Sequence, residues 1–159
     1  MRILVISDSH NFVPYSQIEK IKEHGNFDML IHCGDCYHDA DKFAEKLNVD
    51  TIVRVPGNCD YVRNKPVLIK EVVEGKILLI THGHVYHVKE GIERLKEDAI
   101  QQGADAVIYG HTHCAQNEMV GSILFFNPGS TSLPRYGAKS FGILDISPDK
   151  IDSRVLPLE

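Results

Sequence analysis

The chain reads as an α/β fold with two packed sheets and helices outside. Three observations predict it. Strand-like and helix-like segments alternate through the early half. Consecutive strands follow in the later half. Five of the apolar runs end in side chains able to hold a metal ion, and strand ends are where ligands gather in open α/β sheets.

The elements follow in order. Arg2 to Ser7 is the first run and ends in Asp8-Ser9-His10. Pro14 to His24 predicts a helix: Pro14 fits its first turn, Ile18 and Ile21 share a face, and Gly25 ends it. Met29 to Cys33 ends in Gly34-Asp35. Asp39 to Leu47 is a shorter helix with Phe43 and Leu47 on one side. Thr51 to Pro56 ends in Gly57-Asn58-Cys59-Asp60. Val67 to Val73 and Lys76 to Ile80 form two strands about the turn Glu74-Gly75. The second of them ends in Thr81-His82-Gly83-His84. Lys89 to Gln102 is the clearest helix, with Ile92, Leu95, Ala99 and Ile100 on one face and Gly103 after it. Ala106 to Tyr109 ends in Gly110-His111-Thr112-His113. Ser122 to Phe126, Ser140 to Ile146 and Lys150 to Leu156 are strands separated by turns such as Asn127-Pro128-Gly129 and Pro148-Asp149.

Composition bounds the function. A length of 159 residues suits one domain, 1–159, and 43% hydrophobic with 25% charged residues is ordinary for a soluble protein. The net charge of -5, with cations scattered, argues against an extended nucleic-acid or membrane surface. Met1-Arg2 leads straight into the first strand, which leaves no room for a signal peptide, so a cytoplasmic protein is expected. All four cysteines, Cys33, Cys36, Cys59 and Cys114, lie within two residues of a candidate ligand, which does not suit a disulfide framework.

Asp-x-His, Gly-Asp, Gly-Asn-x-Asp, Gly-His and Gly-His-x-His, in this order, resemble the signature of the calcineurin-like metallophosphoesterases, specifically their small phosphodiesterase branch. The resemblance covers Met1 to about Leu133. It implies a four-layer α/β/β/α sandwich of two mixed sheets. It also implies that Asp8, His10, Asp35 and His113 hold one metal, and Asp35, Asn58, His82 and His111 another. Asp35 is the expected bridge, since one carboxylate has two oxygens to share. Asp35, Asn58 and His82 are the expected catalytic residues. The implied activity is hydrolysis of a small or accessible phosphodiester by a metal-bridging hydroxide. Two divalent ions are expected, Mn²⁺ first, with Ni²⁺, Co²⁺, Fe²⁺ and Zn²⁺ accepting the same donors. A homo-oligomer is compatible with the sequence.

Other residues invite roles. Cys59, His84 and Arg135 are the candidate substrate-binding residues: His84 continues the His82 motif toward a metal or the substrate, and Arg135 follows Asn127-Pro128-Gly129-Ser130 at a place where it could hold a phosphate. Each of these is open to a plain structural reading. His38 could face the pocket, His87 reads as a surface residue, and His32 as a packed histidine. Cys59 stands where many relatives of the superfamily carry a histidine thought to protonate the leaving group. Cys33-Gly34-Asp35-Cys36 matches a redox pattern only superficially, because Asp35 is claimed by the metal site. The competing classes are a non-catalytic scaffold on the same fold, a protein phosphatase and a repair nuclease. The full ligand set, Cys59 and the lack of added segments argue against them in turn.

Overall fold

The structure is a computed structural model describing residues 1–159. Ten strands and three α-helices follow the chain: β1 (Arg2–Ile6), α1 (Tyr15–Lys22), β2 (Met29–His32), α2 (Asp39–Leu47), β3 (Ile52–Arg54), β4 (Leu68–Val73) and β5 (Lys76–Thr81). After a 3-10 turn at His84–Tyr86 come α3 (Glu93–Gln101), β6 (Ala106–Ile108), β7 (Gln116–Val120), β8 (Ile123–Asn127), β9 (Ser140–Ile146) and β10 (Ile151–Pro157).

One sheet has the order β10-β9-β1-β2-β3 and the other β4-β5-β6-β8-β7. Each contains parallel and antiparallel pairs. Side-chain alternation along the strands builds the layers. In β1, Ile3 and Val5 face the core between the sheets, where they join Ile31, Leu78, Ile80, Ile108 and Phe126. Leu4 and Ile6 face the other way and pack with Ile18 and Ile21 of α1 and Phe43 of α2. On the second sheet, Leu79, Val107 and Phe125 pack with Leu95 and Ala99 of α3. The expected α/β/β/α order is therefore present.

The inter-sheet core is tightly filled. Phe126 is fully buried, and a Cβ added at Gly142 would lie 2.5 Å from its ring. Phe126→Ala should therefore destabilise the fold by about 3–5 kcal/mol, read from denaturant unfolding.

Three details differ from the sequence reading. The third helix begins at Glu93 rather than Lys89. Before it, His87 and Gly91 adopt φ values of 54° and 139°, which a helix does not tolerate. Ile100 is 60% exposed, so the buried face of α3 is narrower than its apolar pattern suggests. Strand β7 has no strand-like signal, because Gln116–Val120 is an edge strand with three central exposed residues.

The topology sets the site. β1, β2 and β3 run parallel in one sheet, and β5, β6 and β8 run parallel in the other. Their carboxyl ends carry Asp8 and His10, Asp35, Asn58, His82, and His111 and His113.

Candidate metal centre

The seven expected ligands come together. His82 Nε2 lies 3.1 Å from Asn58 Oδ1, 3.1 Å from His111 Nδ1 and 3.4 Å from Asp35 Oδ2. Beside it, His113 Nε2 lies 3.3 Å from His10 Nε2 and 3.2 Å from Asp8 Oδ1. Asp8 Oδ1 is also 3.8 Å from His82 Nε2, which joins the two groups. Ligand atoms of Asp35 fall within 4.8 Å of those of His10 and Cys59 on one side, and of Asp8 and His82 on the other.

The backbone is bent to make this happen. Five of the seven residues have positive φ: Asp8 at 53°, His10 at 48°, Asp35 at 48°, His111 at 70° and His113 at 57°. Such left-handed conformations cost roughly 1–3 kcal/mol each outside glycine and cluster at functional sites. Neighbouring glycines allow the close approach. A Cβ at Gly57 would overlap Asp35 Oδ1, and one at Gly110 would overlap Ser7 Oγ.

Surrounding groups orient the ligands. His82 Nδ1 pairs with the Cys33 carbonyl at 2.6 Å, and His113 Nδ1 with the Leu133 carbonyl at 2.7 Å. A carbonyl only accepts, so both Nδ1 atoms carry the proton and both Nε2 atoms are left facing the cluster. Asp8 Oδ2 accepts from the Ser7 hydroxyl at 2.6 Å and the His111 N–H at 3.0 Å. Asp35 Oδ1 accepts from the Cys59 N–H at 3.0 Å, which leaves Oδ2 toward His82.

Asp60 has no assigned role in the sequence reading, although it closes the Gly57-Asn58-Cys59-Asp60 motif. Its Oδ2 accepts from the N–H groups of Asp35 at 2.9 Å and Gly57 at 2.8 Å, and its Oδ1 from Tyr37 N–H at 2.9 Å. It ties the Asp35 loop to the Asn58 loop. Asp60→Ala should weaken metal binding by about 10–100-fold, measured by competition with a chelating dye. The hydroxyls of Ser130 and Ser132 likewise donate to the Asp8 carbonyl at 2.7 and 2.9 Å. Asn127 Nδ2 donates to the Gly110 carbonyl at 3.2 Å and Thr112 Oγ1 at 3.0 Å. The Asn127–Ser130 turn thus braces two ligand loops at once.

The electrostatics fit a cation. Burial raises the pKa of Asp8, but His113, His82 and Ser7 outweigh it and hold the carboxyl low. Burial likewise opposes ionisation of Asp35, and His82 and the Cys59 N–H reverse the sign. Burial depresses His82, yet Asp35 and Asp8 raise it overall. The Asp8 contact also raises His113. Burial and His82 push His111 down to about 4. Asp8 Oδ1 is fully buried and accepts no hydrogen bond of good geometry. Ring nitrogens 3.1–3.3 Å from one another crowd against a carboxylate oxygen that has no hydrogen bond of its own, so a cation placed among them would meet several donor atoms at once. The donor set of imidazole, carboxylate and amide oxygen is what a divalent ion requires.

The remaining candidates fall at the rim. Cys59 is an exposed free thiol whose Sγ receives a 3.6 Å contact from Asn58 Nδ2, and its pKa is raised by burial, Asp35 and Asp60. The His84 ring sits 5.4 Å from that of His82 and 6.2 Å from that of His111, with Nδ1 buried and unpaired. Arg135 lines a recess with His111 and His113, and its N–H donates to the His113 carbonyl at 2.9 Å. His38 is not brought in: it caps the start of α2, exposed, with its ring against Tyr37. His87 is exposed. His32 is fully buried, accepting from Gly34 N–H at 3.1 Å and pairing with Ser9 Oγ at 2.9 Å. All four cysteines are free.

Comparison with known proteins identifies the family. A phosphodiesterase of Methanocaldococcus jannaschii is 34% identical over 176 residues, covering 100% of each chain. A probable metallophosphoesterase of Bacillus subtilis is 31% identical over 150 residues, 94% of this chain and 86% of its own. Among solved structures, Vps29 of Entamoeba histolytica complexed with zinc superposes with a TM-score of 0.78 over 100% of both chains, at 21% identity, a likeness of fold. Residues 1–149 match the model of the calcineurin-like phosphoesterase superfamily domain. The chain belongs to the calcineurin-like phosphoesterase superfamily.

Proposed function

We propose that the protein is a metal-dependent phosphodiesterase with a dinuclear centre that hydrolyses a small or accessible phosphodiester. The observation that carries this is the convergence of all seven expected ligands around the buried, unpaired Asp8 Oδ1. His10 and His113 lie on the Asp8 side, and Asn58, His82 and His111 on the Asp35 side. These would hold one divalent ion each. Asp35 is the proposed bridge, because it reaches toward both His10 and His82. When bound, such ions lower the pKa of water from 15.7 to about 7 and absorb charge on the phosphoryl oxygens.

The chain's own residues do the positioning. Cys33 and Leu133 fix the two imidazole tautomers, Asp60 locks two loops, and Ser130 and Ser132 hold the Asp8 backbone. Arg135 offers a cation beside the centre for an anionic substrate. Carboxylate and amide oxygens favour Mn²⁺, while the imidazoles admit Fe²⁺, Co²⁺, Ni²⁺ and Zn²⁺. No helix is long and apolar enough to cross a membrane. We place the protein in the cytoplasm because its four thiols are free.

A metal-by-substrate screen on chelator-stripped protein tests the reading. Stripped protein should be inactive. Adding Mn²⁺ should restore cleavage of bis(p-nitrophenyl) phosphate, with the monoester slower. A metal-loaded protein inert toward aryl diesters, the monoester and cyclic nucleotides would favour the scaffold role instead.

A further inference from the structure

Two recesses flank the metal centre and share one wall. The first, of about 270 Å³, is lined by His10, Phe12, Ser132, Leu133 and Lys139. Phe12 and Leu133 are 42% and 58% exposed there, and Lys139 Nζ sits 5.3 Å from the Phe12 ring centroid. The second, of about 310 Å³, is bounded by Lys89, Arg135, Leu133 and the ligands His111 and His113. Leu133 therefore stands between an aromatic recess and a cationic one, and its carbonyl also orients His113.

Lys89, Arg135 and Lys139 form no ion pair with a carboxylate; Lys139 and Arg135 rest over the Phe12 and Tyr136 rings at 5.3 and 5.9 Å, so their charge stays available to an anion. Unpaired cations beside a phosphate-type site complement an anion that reaches past the centre. An exposed ring and an aliphatic side chain complement a flat aromatic group.

We infer that the substrate is a nucleotide diester that branches over Leu133. Its base lies against Phe12, its scissile 5′-phosphate at the metal centre, and a second phosphate on its ribose between Lys89 and Arg135. This rests on the phosphodiesterase reading above and names the substrate class for that site. A single phosphate with a small alkyl group would use neither recess. A nucleotide uses both, and binding energy from such remote groups is what a site draws on for its chemistry.

Three diesters with one leaving group test this on the metal-loaded protein: methyl p-nitrophenyl phosphate, thymidine 5′-(p-nitrophenyl phosphate), and the latter with a 3′-phosphate. In each, water's oxygen bonds to phosphorus and the P–O bond to p-nitrophenolate breaks. The bond's electron pair leaves on the phenolate oxygen, and the water's protons pass to the product phosphate and solvent. We expect kcat/KM to rise about tenfold on adding the nucleoside, and about tenfold again with the second phosphate. Phe12→Ala should bring the thymidyl-to-methyl ratio toward one. Lys89→Ala with Arg135→Ala should do the same for the 3′-phosphate ratio.

A calorimetric titration with thymidine 3′,5′-bisphosphate and with methyl phosphate separates this from the parent reading. If all three diesters are cleaved equally and the bisphosphate binds no tighter than methyl phosphate, the nucleotide inference is wrong and the diesterase stands. If no diester is cleaved but the bisphosphate binds at least ten times tighter, the diesterase reading falls and the nucleotide site stands.

Discussion

Asp35→Ala is expected to leave a folded protein that binds neither ion well and hydrolyses no diester at a measurable rate. Asp35 Oδ2 faces His82, and ligand atoms of His10 also lie within 4.8 Å of the carboxylate. Removing it takes one anion from both sides of the centre. Loss of a single charge-stabilising donor typically costs roughly 10²–10³ in kcat. Loss of a charge shared by two cations should exceed that. The alanine also frees the Cys59 N–H, so a local loop effect accompanies the loss of charge. Asp35→Asn separates the two, because its amide oxygen still accepts from Cys59 while its charge is gone. Native mass spectrometry counts the ions, and turnover of bis(p-nitrophenyl) phosphate reads the activity. Two ions per chain and normal turnover in Asp35→Ala would show that Asp35 does not bridge.

The ligands could be read from sequence because each follows a strand, and strand ends are marked by apolar runs stopping at Gly, Asp or His. The two sheets were legible from the order of the elements, and their four-layer stacking from the family resemblance, whereas the way the unbroken apolar run Ile3, Leu4, Val5, Ile6 divides between two cores shows only in the fold. What supports the ligands was not legible. Asp60 sits in a recognised motif, yet its three backbone donors come from Asp35, Gly57 and Tyr37, and that convergence exists only in the fold. Ser130 and Ser132 reach the Asp8 carbonyl across more than 120 residues, a separation no local pattern encodes. The left-handed conformations of Asp8, His10, Asp35, His111 and His113 were equally hidden, since nothing in an Asp or His side chain announces a positive φ. The same physics explains β7. An edge strand that exposes Asn117, Glu118 and Met119 has neither alternation nor an apolar run to betray it.

Cys59 is expected to set which leaving groups the enzyme tolerates. Its Sγ lies within 4.8 Å of ligand atoms of His10 and Asp35, and its side chain opens to solvent at the mouth of the centre. That is a place from which a side chain could meet the departing oxygen. A thiol, with a reference pKa near 8.5, is a weaker proton donor near neutral pH than an imidazolium near 6.5. The barrier in this protein should therefore follow the stability of the departing oxyanion. Aryl diesters should turn over well, and alkyl diesters without remote contacts should fall steeply behind. Cys59→His places an imidazole at the same backbone position, and general acid catalysis is typically worth ~10²–10⁴-fold. The gain should appear on alkyl diesters, while p-nitrophenyl diesters, which need little protonation, change least. A leaving-group series compared between the two proteins, with metal content held equal, gives the result directly. The slope of log kcat/KM against leaving-group pKa should be shallower in Cys59→His. Identical slopes would mean that the residue at this position does not govern departure of the leaving group, and that the thiol is simply a small side chain beside Asn58.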